Sequence, residues 1–146
     1  MATIPTAAVI AFKNNNNKVL LVKHGAKASH LNDTYGLPGG TLENNETDIQ
    51  CAFREFIEET GLQTSMDYLV EFPGNFYSAE IEKKDGSRHT YPWRVFLCTK
   101  FSGELKSSEE TMPIWIDINK LGSLNLLPNV KNVILAGLNF INRQND

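Results

Sequence analysis

Cysteine is scarce in this chain. Cys51 and Cys98 are the only two, and neither sits in a CxxC or Cys/His cluster. That spacing supports neither a disulfide framework nor a zinc site. Two small buried hydrophobes in a reducing, cytoplasmic setting are expected instead. Long apolar runs are also missing: none approaches the ~20 residues of a membrane span. The opening stretch MATIPTAAVIAFKNNNN lacks the basic residues that begin a secretory signal. There is no basic excess. Lys and Arg number 14 against 17 Asp and Glu, a net charge of -3. Charge alone therefore provides no grip on long nucleic acid or an anionic membrane, while a small anionic substrate stays open because it needs only local charge. Internal repeats and interdomain linkers are absent, and a length of 146 residues fits one domain over 1–146, as a monomer or a homodimer.

What is present reads as strands around two helices. TAAVIAFK and KVLLVKH are strand-like and flank Asn14–Asn17, which reads as a hairpin loop. GAKASHLNDTYGLPGG follows as a long polar loop, of the kind that often carries function in a compact domain. DYLVEF and FYSAEIEK are strand-like, Asp85-Gly86 is a hairpin signal, and HTYPWRVFLCTKF is a long aromatic and β-branched strand. Pro92 inside it predicts an edge position or a bulge. PIWIDI is a further strand and NKLGSL a single helical turn. From Asn129, Val130, Val133, Ile134, Leu138 and Ile141 recur at helical spacing. The order predicts a mixed sheet with helices packed on it, an α/β (α+β) class.

The stretch GTLENNETDIQCAFREFIEETGL poses a problem of charge. Ile49, Ala52, Phe53, Phe56 and Ile57 form a helical apolar stripe, and Gly61 is the natural stop. Counted at 100° per residue, Glu55, Glu58 and Glu59 fall together on the opposite side. Glu55 and Glu59 are a like-charge i, i+4 pair, and all three lie where the helix dipole is negative, each unfavourable by ~0.3–1 kcal/mol. A solvated face usually mixes signs, yet from Glu46 to Gly61 there is no Lys and one Arg. Either these acids form such a face, or they hold a hard cation such as Mg²⁺ or Mn²⁺ that removes the repulsion. Leu37-Pro38-Gly39-Gly40 precedes them, a turn in which backbone can come close to a bound group.

These residues resemble the signature of the Nudix hydrolases. Gly40, Glu46, Arg54, Glu55, Phe56, Glu58, Glu59, Gly61 and Leu62 fill its fixed positions, with Phe56 a bulky choice for its slot. The order of elements on both sides is similar to the family as well. The resemblance implies an α/β/α sandwich around a mixed β-sheet, with the signature loop–helix and a C-terminal helix as its outer layers. It also implies Mg²⁺-dependent hydrolysis (Mn²⁺ being the alternative) of a nucleoside diphosphate linked to a group X. By that resemblance Glu55, Glu58 and Glu59, with the carbonyl of Gly39 or Gly40, are metal ligands. Gly40, Glu46, Arg54 and Gly61 shape the motif, the Arg54–Glu46 ion pair holding loop to helix. Arg54, Glu58, Glu59 and Glu109 form the expected catalytic set. The general base is one of the helix glutamates or an acid of KSSEETMPIW, Glu109 or Glu110, which can equally be solvated loop acids.

Substrate contacts are open at the level of sequence. The chain resembles the MutT-like branch, which acts on nucleoside triphosphates, in its length, in KASHLNDTYGLPGG and in LPNVKNVI. Asn129 either reads a purine through its donor-and-acceptor amide or caps the last helix. Phe76, Tyr91 and Trp93 are candidates to stack on a base or to pack. Lys23 is a phosphate contact or a solvated strand-end lysine, and His30 a loop contact or an idle surface residue. The proline spacing typical of many ADP-ribose hydrolases is not found. ADP-ribose or nucleotide-sugar hydrolysis is the runner-up, RNA 5′-end processing a third reading, and a non-catalytic nucleotide-binding module another; such modules usually lose ligand glutamates or the Arg, which this chain keeps.

Overall fold

A computed structural model of the chain describes residues 2–13, 15–24, 33–108 and 111–144. The strands are β1 (Ala2–Thr3), β2 (Thr6–Ile10), β3 (Phe12–Lys13), β4 (Lys18–His24), β5 (Tyr35–Gly36), β6 (Gly39–Thr41), β7 (Leu69–Val70), β8 (Phe76–Glu82), β9 (Arg88–Cys98) and β10 (Thr111–Asp117). Helix α1 (Asp48–Thr60) lies between β6 and β7, and α2 (Val130–Gln144) closes the chain; single 3₁₀ segments occupy Met66–Tyr68 and Ile118–Ser123.

Strand parity explains the layering. β2 and β4 are nearly continuous apolar runs, the mark of a sheet covered on both faces. Ala7, Val9 and Ala11 point to one side and pack with Cys51, Ala52 and Phe56 of α1. Their alternates Ala8, Ile10 and Phe12 point to the other and pack with Val130, Val133 and Ile134 of α2. β9 divides likewise, Phe96 and Cys98 toward α1 and Val95 and Leu97 toward α2. The result is the expected α/β/α sandwich, with two cores on either side of the strands.

The larger sheet runs β1-β9-β2-β6, with β7 and β8 on the far edge of β9. β9 is parallel to β1 and β2 and antiparallel to β7 and β8, so the sheet is mixed. A smaller sheet runs β10-β4-β3, with β5 also on β4. The chain passes between the sheets at Ala11, whose carbonyl accepts from Leu20 N at 3.0 Å. In the hairpin that follows, Asn15 and Asn16 take positive φ of 57° and 66°, a conformation asparagine tolerates.

Pro92 corrects the expectation of an edge or a bulge. β9 is central, and the register runs without a slip from Thr3↔Thr90 to Thr6↔Trp93. Pro92 therefore lies level with Pro5, in the break between β1 and β2. The missing N–H falls where the neighbouring strand is interrupted, so the ladder is not broken.

Helix α1 starts and stops as its sequence dictates. Thr47 and Gln50 form a capping box, with Thr47 N donating to Gln50 Oε1 at 2.9 Å and Gln50 N to Thr47 Oγ1 at 3.3 Å. Gly61 ends it at φ 78°, and a side chain there would strike Lys106. The buried face, however, is rotated from the one expected. Cys51, Ala52, Phe56 and Thr60 are buried, while Ile49 and Phe53 are half-buried at its margin. At 100° per residue, Glu55 and Glu59 fall between Cys51 and Ala52. They are therefore not on the far side from the sheet: both are half-buried, and only Glu58 is exposed.

Candidate active site

Arg54 organises the acids. Its guanidinium grips Glu46 with two bonds, Nε to Oε2 at 2.8 Å and Nη2 to Oε1 at 2.9 Å. Nη1 reaches Glu55 Oε1 at 2.7 Å and Glu58 Oε2 at 3.5 Å, and Nη2 reaches the Thr41 carbonyl at 3.3 Å. Glu43 stands at 3.4 Å from Nε. One planar fork thus ties the loop before α1, the end of β6 and two residues of α1 together, a task for which arginine's fixed donor geometry suits it. The Glu46 side chain is 12% exposed and that of Glu58 is 58% exposed, so the loop contact is the sheltered one. Burial pushes the Glu55 carboxyl upward, against the opposing pull of Arg54.

Hydrogen bonding to Arg54 pulls Glu46 from its ordinary 4.5 down to about 2. A depressed carboxylate contributes stability that is complete above its unfolded pKa and disappears as pH falls through the folded one. Acid unfolding should therefore gain a component between pH 4.5 and about 2. Glu46→Gln, which has no charge to lose in that window, is expected to be less stable at neutral pH and to flatten the curve below pH 4.5. Denaturant titrations at a series of pH values measure this; equal slopes for the two proteins would refute it.

Strand β6 is the seam between helix and sheet. Val9 N donates to Pro38 O and Leu42 N to Pro5 O. By the alternation of an antiparallel ladder, Gly40 is then bonded to Ala7, while the N–H and C=O of Gly39 point off the sheet edge. The Gly39 N–H accordingly donates to Glu59 Oε1 at 2.6 Å. Of the two glycine carbonyls left open by the sequence, only that of Gly39 faces outward. The Gly40 carbonyl also accepts from Cys51 Sγ at 3.4 Å. A Cβ on Gly40 would lie 2.6 Å from Glu55 Cδ. The bare glycine is what lets a carboxylate lie against the strand. Burial raises the Cys51 thiol to about 12, which removes it as a nucleophile.

The three helix acids do not meet at one point. Glu55 and Glu58 turn to Arg54, Glu59 turns to Gly39, and among the described residues no three acidic, His or Cys side chains form a ready-made cation cluster. That corrects the expectation of a common focus. The physical reason is visible: Arg54 Nη1 supplies the positive charge that Glu55 and Glu58 share. The donor set still suits a hard cation, being carboxylates plus the outward carbonyl of Gly39, all oxygen. Glu109 and Glu110, the loop candidates for general base, lie outside the described residues, as does His30.

On the α2 side of the same seam opens a cavity of about 150 Å³. Gly39 and Gly40 form one end of it; Leu37, Tyr91, Trp93 and Leu127 line its walls, and His24 and Lys83 add polar groups. Burial lowers the His24 pKa, which keeps the imidazole neutral near pH 7. Tyr91 is thus placed in a pocket wall. Phe76 is not. It pairs across strands with Arg94, on the opposite face from Trp93, and is 53% exposed beside that guanidinium at 5.0 Å. Lys23 also stays outside the cavity, paired with Asp33 at 3.3 Å. Asn129 sits between two cavity residues, Pro128 and Val130. Its φ of 67° is not that of an N-cap, and only its backbone carbonyl, which accepts from Val133 N at 3.0 Å, serves the helix. His24 and Lys83 were missed by sequence reasoning. The available signal was parity: His24 ends β4, and Lys83 directly follows β8, two residues on from the cavity-lining Ile81.

Comparison with known proteins points one way. The NUDIX domain family matches residues 3–136. "Putative 8-oxo-dGTP diphosphatase 3" of Mycobacterium tuberculosis (strain CDC 1551 / Oshkosh) is 31% identical over 109 residues, 75% of this chain and 49% of that protein. The chain thus spans about half the length of that relative. "ADP-ribose pyrophosphatase" of Methanocaldococcus jannaschii is 31% identical over 121 residues, 82% of this chain and 66% of the relative. A crystal structure of a MutT NUDIX hydrolase from Burkholderia pseudomallei superposes with a TM-score of 0.70 at 19% identity, covering 93% of this chain and 98% of the other. That last likeness concerns the fold.

Proposed function

This chain belongs to the NUDIX domain family, and we propose that it is a single-domain hydrolase over 1–146 that cleaves a phosphoanhydride of a nucleoside diphosphate linked to X. The observation that carries this is the seam at Gly39–Gly40. One side of it meets the half-buried acids of α1, and the other opens into a cavity large enough for part of a nucleotide. A diphosphate crossing that edge would have its base on the α2 side and its phosphates beside Glu55, Glu58 and Glu59.

Those three glutamates and the Gly39 carbonyl would hold a divalent cation, Mg²⁺ or Mn²⁺. Such an ion supplies charge neutralisation for the diphosphate and acidifies water. The protein's own groups do the rest. Arg54 orients Glu55 and keeps the loop closed. Gly39 N–H fixes Glu59. One helix carboxylate, or Glu109, takes the proton from the attacking water. Lys83 lines the cavity, with its ammonium over the Tyr91 ring, and adds positive charge there.

The preferred substrate is a nucleoside triphosphate or modified nucleotide, giving a monophosphate and pyrophosphate, in keeping with the first relative's name. ADP-ribose or a nucleotide sugar is the second reading, favoured by the other relative's name. No helix among the described residues is long and apolar enough to cross a membrane, and both cysteines are free and buried, in accord with a reducing, cytoplasmic setting. The test is a panel of nucleoside triphosphates, oxidised analogues, ADP-ribose, nucleotide sugars and dinucleoside polyphosphates with Mg²⁺, products resolved by chromatography. Pyrophosphate release supports the first reading, and AMP with ribose phosphate the second. Nucleotide binding without product would support the non-catalytic alternative.

A further inference from the structure

Most sheet edges in this molecule are short or guarded. β1, β3, β5, β6 and β7 have two or three residues each, and Glu59 occupies the edge of β6. β10 is seven residues long but blocked. Ile118 N donates to Asn17 O, so by alternation the backbone of Thr111, Pro113, Trp115 and Asp117 turns outward. Ser108 takes up both backbone groups of Thr111, and Pro113 has no N–H to offer. Proline and a loop folded over the edge are two of the ways a strand is kept from pairing.

β8 has neither device. Lys83 N donates to Ser87 O at 2.8 Å and Val95 N to Asn75 O at 2.8 Å, one at each end of the β8–β9 ladder. Alternation between them turns the N–H and C=O of Phe76, Ser78, Glu80 and Glu82 away from β9. Among the described residues β9 is the only strand beside β8. The side chains of the same four residues are exposed, on the face where Arg94 meets Asp48 of α1. The strand thus presents a straight run of open backbone without proline or bulge, which is a template for another strand.

We infer that this strand is covered by β8 of a second copy of the chain. Antiparallel pairing over the whole of Phe76–Glu82 places the two-fold axis at Ala79 and fixes what faces what. Phe76 meets Glu82 of the second copy, and Ser78 meets its Glu80; no two acids stand opposite. Each Glu82 then lies between Arg88 of its own copy and the Phe76 ring of the other, which Arg94 backs at 5.0 Å. Other registers are worse. A slip of two residues toward the β8–β9 hairpin sets Glu80 against Glu80, and like charges directly opposite are destabilising. A slip the other way sets Glu82 against Gly74, whose φ of 86° has left the strand. The acids therefore select the register that overlaps most. The dimer joins two six-stranded sheets into one, with both cavities on the same face. It also braces the strand that carries Ile81 and leads to Lys83 in each cavity wall.

Sedimentation equilibrium of the full chain over a range of concentrations reads the association. One strand pair makes a small interface, so a dissociation constant on the order of micromolar is expected. The mass should rise from 16.4 kDa to twice that value across the series. Ser78→Pro removes an outward N–H and no bond to β9, so it should stay monomeric with its circular dichroism unchanged. Ser78→Glu, which needs no backbone change, sets the new acid against Glu80 twice per dimer and should raise the dissociation constant about tenfold. Adding Glu80→Lys turns both contacts attractive and should restore the wild-type value. A single mass of 16.4 kDa at every concentration overturns the dimer. A dimer that ignores both Ser78 substitutions is built on another surface and overturns the assignment to β8. A double variant no tighter than Ser78→Glu alone overturns the register.

Discussion

Glu59→Gln should slow hydrolysis about a thousandfold and leave the protein folded. The amide keeps the oxygen that accepts from Gly39 N at 2.6 Å, so the loop–helix contact survives. What is lost is one negative charge from the proposed cation site. The sign of the stability change separates this from simple damage. Without metal, Glu59 is repelled by Glu55 one turn before it and by the helix dipole, so the variant should melt at the wild-type temperature or slightly above it. With Mg²⁺, the wild type should gain Tm by mass action and the variant should gain much less. Product release and paired melts with and without Mg²⁺ measure both effects. A variant with near-wild-type turnover, or one with an undiminished Mg²⁺ shift, removes Glu59 from the cation site.

Much of the fold could be read from the residues because local chemistry settles it. Gly61 can hardly be anything but a helix stop, and the asparagine hairpin and the stripe of α2 follow from spacing alone. The side of α1 that meets the sheet was misread for a specific reason. The wheel was oriented by its apolar residues, but Cys51 and Thr60 are fully buried too, and Thr60 satisfies its hydroxyl on the Phe56 carbonyl at 2.6 Å. Nor does a sequence show that a glycine on another strand will leave room for a carboxylate. At the pocket, parity along β9 groups Tyr91 with Trp93, but the placement of Phe76 depends on a cross-strand register that only the fold fixes. Asn129 is a similar case. A helix-capping residue type at the right position has a left-handed backbone, and only its carbonyl serves the helix.

Arg54 carries the second large effect. Arg54→Ala leaves Glu46 and Glu55 facing each other's charge, with side chains only 12% and 17% exposed. Removing one partner of a fully buried pair is unfavourable by 3–5 kcal/mol; with Arg54 itself 24% exposed, about 2–3 kcal/mol is the discounted expectation. For a chain of this size that is a fall in Tm of about 10 °C. Activity should fall at least a hundredfold even at temperatures where the variant is fully folded, because Glu55 loses the bond that orients it. Arg54→Lys separates charge from shape. Lysine restores a cation but not the fork that holds both oxygens of Glu46 while reaching Glu55. It should recover part of the Tm and little of the rate. The Arg54→Ala and Glu46→Gln stability losses should also fall short of additive in the double variant, since each breaks the same pair. Additive losses, or an Arg54→Lys enzyme with wild-type rates, would mean that the loop is held elsewhere and that Arg54 supplies only charge.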